Sequence, residues 1–168
     1  MKIIFRAFAQ LSLSKVFKLF GILLQSPLFS FQTFIATLKT FKISKRYFPD
    51  THHQNGRGNA FRHALWCCLI MMYCCKISSP RKSLQWCKKI TDMHEDLFIN
   101  DELLREMDLH NNKIGMDLFM RMLEGIHRQF FETSFFLDKL HQLSQNAKLI
   151  SSKEEIEEGR MAITENVD

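Results

Sequence analysis

The sequence predicts an all-α protein: a compact single-domain bundle of about six helices, opened by an amphipathic, Phe-rich helix pair. Three observations predict it. Apolar residues recur at 3–4 residue spacing along most of the chain, the period of one helix face. The 168 residues hold only 3 Pro and 6 Gly, and 46% of them are hydrophobic, which suits a packed helical core and argues against disorder. No alternating run is long enough to read as a strand, and there is no internal repeat or low-complexity segment.

Taken in order, residues 3–24 read as an amphipathic helix in which Phe, Leu and Ile interleave with Lys and Ser. Residues 28–44 form a second, with Phe31, Phe34, Ile35, Leu38 and Phe41 at helical spacing beside Lys39 and Lys42. Stripes of this kind usually cover a core. A basic amphipathic helix also suits an anionic membrane surface, and both alternatives are open here. Residues 47–58 form a loop marked by Pro49, Asp50 and the turn pair Asn55-Gly56. Asn59 is the expected N-cap of a helix running to about residue 76. Ser79 caps the next, with Pro80 in its first position, and this helix carries Trp86, Cys87, Ile90 and His94. Asn100 is placed to cap a further helix, with Asp101 and Glu102 near its positive end. From residue 113 to about 149 the pattern stays helical, with Phe119, Met122, Leu123, Ile126, Phe130, Leu137 and Leu140 facing inward. From Ser151 the chain is acidic and poor in apolar residues, so a mobile tail is expected. The organisation is thus residues 1–44 as basic Phe-rich helices, 45–149 as the helical domain with the polar site, and 150–168 as the tail.

Charge is unevenly divided. The net charge is +5, yet the first 49 residues hold eight bases and no acid, while all 18 acids meet only 15 bases after that point. The expected partner is therefore an anionic membrane surface or lipid, and no nucleic acid is expected. No uncharged run reaches the length of a spanning helix. Lys15 and Lys18 interrupt the apolar start, and no small-x-small site follows Leu24, so a cleaved signal peptide is not expected. The cysteines, Cys67, Cys68, Cys74, Cys75 and Cys87, lack any zinc or redox spacing. They favour a reducing compartment. The expected location is cytoplasmic, with or without membrane association, and export stays open.

Three stretches put polar groups onto otherwise apolar helix faces: Asn59 to Trp66, His94-Glu95, and Met107 to Gly115. Buried polar groups need partners, so the three are expected to meet. His63 shares a face with Asn59, Trp66, Cys67, Ile70 and Cys74, and His94 shares one with Cys87, Ile90 and Thr91. Asp108 and His110 are about 200° apart on an ideal helix, so either the helix is distorted or only one enters the site. Asn111, Asn112 and Gly115, poor helix formers, would allow the distortion. The candidate catalytic residues are His63, His94, Glu95, Asp108 and His110. Arg62, Trp66, Asn111 and Asn112 are the candidate substrate-binding residues, Arg62 because its fork suits an anion. Of these, His63, His94, Asp108 and His110 are the candidate ligands of a divalent metal, zinc or manganese. A metal-free acid–base pair is equally compatible, and Cys67 beside His63 is the weaker candidate for a nucleophile.

The ordered motifs Tyr47-Phe48-Pro49, Asn55-Gly56-x-Gly58-Asn59-Ala60-Phe61-Arg62-His63-Ala64-x-Trp66, His94-Glu95 and Met107-Asp108-Leu109-His110-Asn111-Asn112-x-x-Gly115 resemble a bacterial domain family of unknown function. Its usual pattern is G-D-A-F-R-H-A-x-W, then H-E, then M-D-x-H-N-N-x-x-G-R, and the resemblance spans roughly residues 45–120. That family occurs alone and as a terminal domain of large exported bacterial proteins, so toxin-like activity is suspected for it. The resemblance implies a site without naming a reaction. Asn59 stands where the pattern has Asp, and Met116 where it has Arg, which puts an unaltered activity in doubt. Two functions remain: a metal-assisted or acid–base hydrolase acting on a phosphoester or lipid-like substrate, and a non-catalytic binding protein whose polar cluster is a structural network.

Overall fold

A computed structural model of the chain describes residues 20–51, 54–97 and 101–165. The expected helix at 3–24 therefore lies almost wholly outside the described residues; residues 20–25 are helical. Five longer helices follow: α1 Pro27–Tyr47, α2 Arg57–Ile77, α3 Pro80–Leu97, α4 Glu102–Met122 and α5 Ser134–Gln145. The fold is all-α, as the periodicity predicts.

Helix α2 is the axis of the bundle, and α1, α3, α4 and α5 all pack against it. Apolar on every side, it is buried along most of its length, as an all-round apolar helix in a packed protein should be. By length and composition alone it could cross a membrane, but 72% of its most apolar window is buried inside the bundle. Ala60, Ala64, Cys67, Cys68, Cys74 and Cys75 keep its profile thin, so four helices can approach it closely. The closest approach is at Gly115 of α4. A Cβ there would lie 2.2 Å from the carbonyl oxygen of Ala64 and 2.7 Å from its Cα. Cys68 Sγ donates to the Gly115 carbonyl at 3.2 Å at the same crossing.

Several expected boundaries move. Helix α2 begins after Gly56, so Asn59 lies inside the first turn instead of capping it, and its side chain is free for tertiary bonds. Helix α4 is capped by Asp101, whose carboxylate accepts from the Leu103 N–H at 2.9 Å; the expected cap, Asn100, is outside the described residues. The helical pattern expected over 113–149 is interrupted. Helix α4 stops at Met122, and a turn containing Gly125 and the short 3-10 helix Arg128–Phe130 reverses the chain. That reversal returns Phe131 onto Phe119, ring centroids 4.4 Å apart, and buries Phe136 and Leu140 of α5 in the core.

Part of the segment after residue 150 is packed on the bundle. Lys148–Leu149 (β1) pairs in parallel with Ala162–Ile163 (β2), and Met161, Ala162 and Ile163 are buried. Asn111 of α4 clamps the strand at both groups of one residue: its amide donates to the Ala162 carbonyl at 2.8 Å, and its oxygen accepts the Ala162 N–H at 3.0 Å. Three apolar residues among acids are too short a signal for periodicity to register.

Of the two alternatives open for the Phe stripe of α1, core packing is the one the fold does not adopt. Its buried positions are Thr33, Ala36, Thr40 and Ser44, while the Phe stripe faces outward. Thr33, Thr37 and Thr40 return their hydroxyls to the carbonyls of Phe29, Thr33 and Ala36, which satisfies them within the helix. Two indole N–H groups then complete this face: Trp86 donates to Thr33 Oγ1 and Trp66 to Thr37 Oγ1, each at 2.9 Å.

Candidate functional site

The three polar stretches do meet, where α2, α3 and α4 come together around the imidazole of His63. Helix α4 runs unbroken from Glu102 to Met122 through the Asn111, Asn112 and Gly115 positions. Asp108 and His110 consequently point different ways, as a regular helix requires. Asp108 turns inward and is 5% exposed. His110 turns away, and its Nε2 meets the Arg160 carbonyl oxygen at 2.8 Å. His110, proposed as a catalytic and metal-binding residue, and Asn111, proposed to bind substrate, thus both hold the C-terminal segment instead of the site.

At the centre, Asn59 donates its amide to Asp108 Oδ1 at 2.7 Å, and Arg62 Nη2 donates to Asn59 Oδ1. Arg62 Nη2 also lies 3.3 Å from His63 Nε2. A guanidinium can only donate, so Nε2 accepts and the ring proton sits on Nδ1, which faces Asn112 Oδ1 at 3.2 Å. Asn112 in turn directs its amide to Glu95 Oε1 at 3.4 Å. His63 Nε2 lies 3.4 Å from Asp108 Oδ1, and Nδ1 lies 3.8 Å from Glu95 Oε1. The imidazole therefore stands between two buried carboxylates, its tautomer set by Arg62 and Asn112. His94 completes the rim, 6.4 Å from His63 between ring centroids and 5.2 Å from Trp66, edge to face. Arg62, Trp66 and His94 are only half-buried and mark the solvent side of the cluster.

Burial dominates the electrostatics. Together with the nearby Arg62 charge, it holds His63 neutral, with a pKa lowered to about 3. His94 falls to about 3 for the same first cause, reinforced by His63 and Arg62. Burial raises Glu95 to about 8, with Asp108 adding to the effect, and raises Asp108 to about 6 against the bond from Asn59 and the charge of Arg62. Arg62 itself is lowered by burial, although both carboxylates oppose this. Burial is thus the main reason that protons are retained on both carboxylates, and one guanidinium only partly opposes it.

His63, Glu95 and Asp108 each offer one ligand atom, all within 4.8 Å of one another. This donor set differs from the expected one: Glu95 takes the place of His94 and His110 beside His63 and Asp108. Asn112, expected to touch substrate, instead orients His63. Asn59, expected as a cap and placed on the face of His63, was not among the candidate site residues, yet it bonds both Arg62 and Asp108. The five cysteines are all buried free thiols. Burial pushes Cys67 and Cys68 well above the usual thiol range and Cys74 to about 12, so Cys67 next to Asn112 is not set up as a nucleophile.

A family model described as Domain of unknown function (DUF6973) matches residues 20–148. The chain belongs to this family. The match takes in α1 to α5 and every residue of the His63 cluster. No curated protein matches the chain, and no solved structure does.

Proposed function

We propose that this DUF6973 protein is a metal-assisted hydrolase, in which His63, Glu95 and Asp108 hold a divalent cation next to Arg62. The observation that carries this is the orientation of His63. Its Nδ1–H is fixed on Asn112 while Nε2 turns toward Asp108 Oδ1, 3.4 Å away. Metal-binding histidines are characteristically oriented by such an outer bond. The 3.4 Å spacing also suits neighbouring ligands on an ion with bonds of about 2.0–2.1 Å, as zinc makes. One imidazole nitrogen with two carboxylates suits zinc or manganese. A histidine held neutral down to a pKa of about 3 is ready to ligate but is a weak general base, which favours metal over metal-free acid–base chemistry.

A bound divalent cation would supply Lewis-acid polarisation of a substrate oxygen. The chain's own contribution is to keep His63 in one tautomer, to keep the carboxylates away from bulk water, and to present Arg62 at the solvent side. Arg62, which donates to Asn59 Oδ1 and to His63 Nε2, would lie beside a cation held there. Its planar fork then suits an anionic group such as a phosphoester. The test is hydrolysis of a phosphodiester, bis(p-nitrophenyl) phosphate, beside a neutral p-nitrophenyl ester, with added manganese or zinc. Turnover of the phosphodiester is expected only with metal. It should fall by at least about a hundredfold in His63→Ala, a loss typical of an impaired metal site.

One observation favours a second function, a non-catalytic structural network. The bonds Arg62–Asn59, Asn59–Asp108, His63–Asn112 and Asn112–Glu95 already satisfy the cluster from within the chain. In that case neither metal produces turnover of either substrate.

A further inference from the structure

The outward face of α1 carries a row of large apolar side chains that the site does not use. Leu28 is 71% exposed, Phe31 60%, Phe34 56% and Leu38 45%, and Phe41 continues the row. Phe20 and Leu24 extend it toward the N-terminus, also exposed. Within α1 the spacing of three and four residues places Leu28, Phe31, Phe34, Leu38 and Phe41 on one side of the helix. This orientation is built in. The opposite face is filled by Thr33, Ala36, Thr40 and Ser44, and Trp66 and Trp86 bond Thr37 and Thr33, so the helix cannot roll over to bury its phenyl rings without breaking those contacts.

The charge beside the row identifies what covers it. At about 100° per residue, Lys42 and Lys45 fall on the same face immediately after Phe41, and Arg46 lies beside them; all three are exposed. Lys39 is different: its Nζ is tied to Thr133 Oγ1 at 2.6 Å, on the flank of the helix. No acid occurs anywhere in the first 49 residues, although 18 follow. A protein partner of ordinary composition would be served by mixed charge. An apolar row ending in cations that form no ion pair among the described residues fits an interface between acyl chains and anionic headgroups.

We propose that α1 docks the protein on an anionic lipid surface, with Leu28, Phe31, Phe34 and Leu38 entering the acyl boundary and Lys42, Lys45 and Arg46 contacting headgroups. This docking does not depend on any chemistry at His63. Trp66 touches both Thr37 of α1 and His94, so the docked helix lies beside the solvent side of the site.

The test is co-sedimentation of the full chain with vesicles of equal parts phosphatidylglycerol and phosphatidylcholine, against vesicles of phosphatidylcholine alone. Binding to the anionic vesicles is expected, with release as salt rises. Lys42→Gln/Lys45→Gln should weaken it about thirtyfold, two cationic contacts at about 1 kcal/mol each. Phe31→Ser/Phe34→Ser should abolish it with the melting temperature unchanged, because both rings are exposed. Equal binding to both vesicle types, or binding to neither, overturns the proposal. So does a dimer, seen by light scattering without lipid, that Phe31→Ser/Phe34→Ser dissociates, since the face would then belong to a second copy.

Discussion

Gly115→Ala is expected to lower the melting temperature by about 6–12 °C, corresponding to roughly 3 kcal/mol in a chain of this size. The new methyl would sit 2.2 Å from the carbonyl oxygen of Ala64 and 2.8 Å from its carbonyl carbon. These are backbone atoms in the middle of α2, so no side-chain rotation relieves the overlap. The two helices must separate, and a packed core resists that. Ala64→Gly should give no rescue, because the overlap is with the Ala64 backbone and not with its methyl group. A separation here also moves Asn112, one turn earlier on α4, away from His63 Nδ1. Thermal melts of the single and double variants check this, and a Gly115→Ala protein melting with the wild type would mean that the crossing is looser than 2.2 Å implies.

Asp108→Asn carries the second large effect, and its sign separates a functional acid from a structural one. The folded chain holds the Asp108 proton up to about pH 6, whereas an ordinary aspartate releases it near 3.8. A raised value means that the folded state binds more protons between these limits. The stability contributed by this titration is therefore fully present below about pH 3.8 and lost as pH rises through about 6. Asparagine has no proton to lose. The metal-free variant should gain on the wild type between pH 4 and 7, by up to about 3 kcal/mol. It should lose metal binding altogether, since a carboxamide is a poor ligand for such ions. A carboxylate whose ionised form the fold disfavours, but which a cation would satisfy, is what a metal site without its metal should contain. If Asp108 instead serves only as the ion partner of Arg62, the same change leaves the guanidinium short of a partner and destabilises the protein at neutral pH. Melts of both proteins across this pH range distinguish the outcomes.

The helical class was legible because α3 carries apolar residues at helical spacing, while α2 and most of α4 are long stretches with few breakers. So was the convergence of His63, Glu95 and Asp108, since isolated polar groups on apolar faces had to find partners. The sequence did not disclose which of Asp108 and His110 would enter. That choice follows from the regularity of α4, which Asn111, Asn112 and Gly115 might have broken but which Asn111, bonded to Ala162, and Gly115, packed on Ala64, instead fit. Two features that the sequence left undetermined share one cause. The C-terminal strand and the outward Phe face of α1 are both decided by tertiary partners far away in sequence: Asn111 for the strand, Trp66 and Trp86 for Thr37 and Thr33. Local periodicity reports that a face is apolar, but not whether the protein turns that face inward. The break after Met122 is similar, since Phe131 closing onto Phe119 determines where the chain reverses.

Elemental analysis of the full chain, purified without a histidine tag and without chelators, tests the central claim most directly. About one zinc or manganese ion per chain is expected, bound tightly enough to raise the melting temperature. It should be absent from His63→Ala and Asp108→Asn while both variants remain folded. A wild-type chain that carries neither metal, and whose melting temperature does not move when either is added, would contradict it and leave His63, Glu95 and Asp108 as a hydrogen-bonded core.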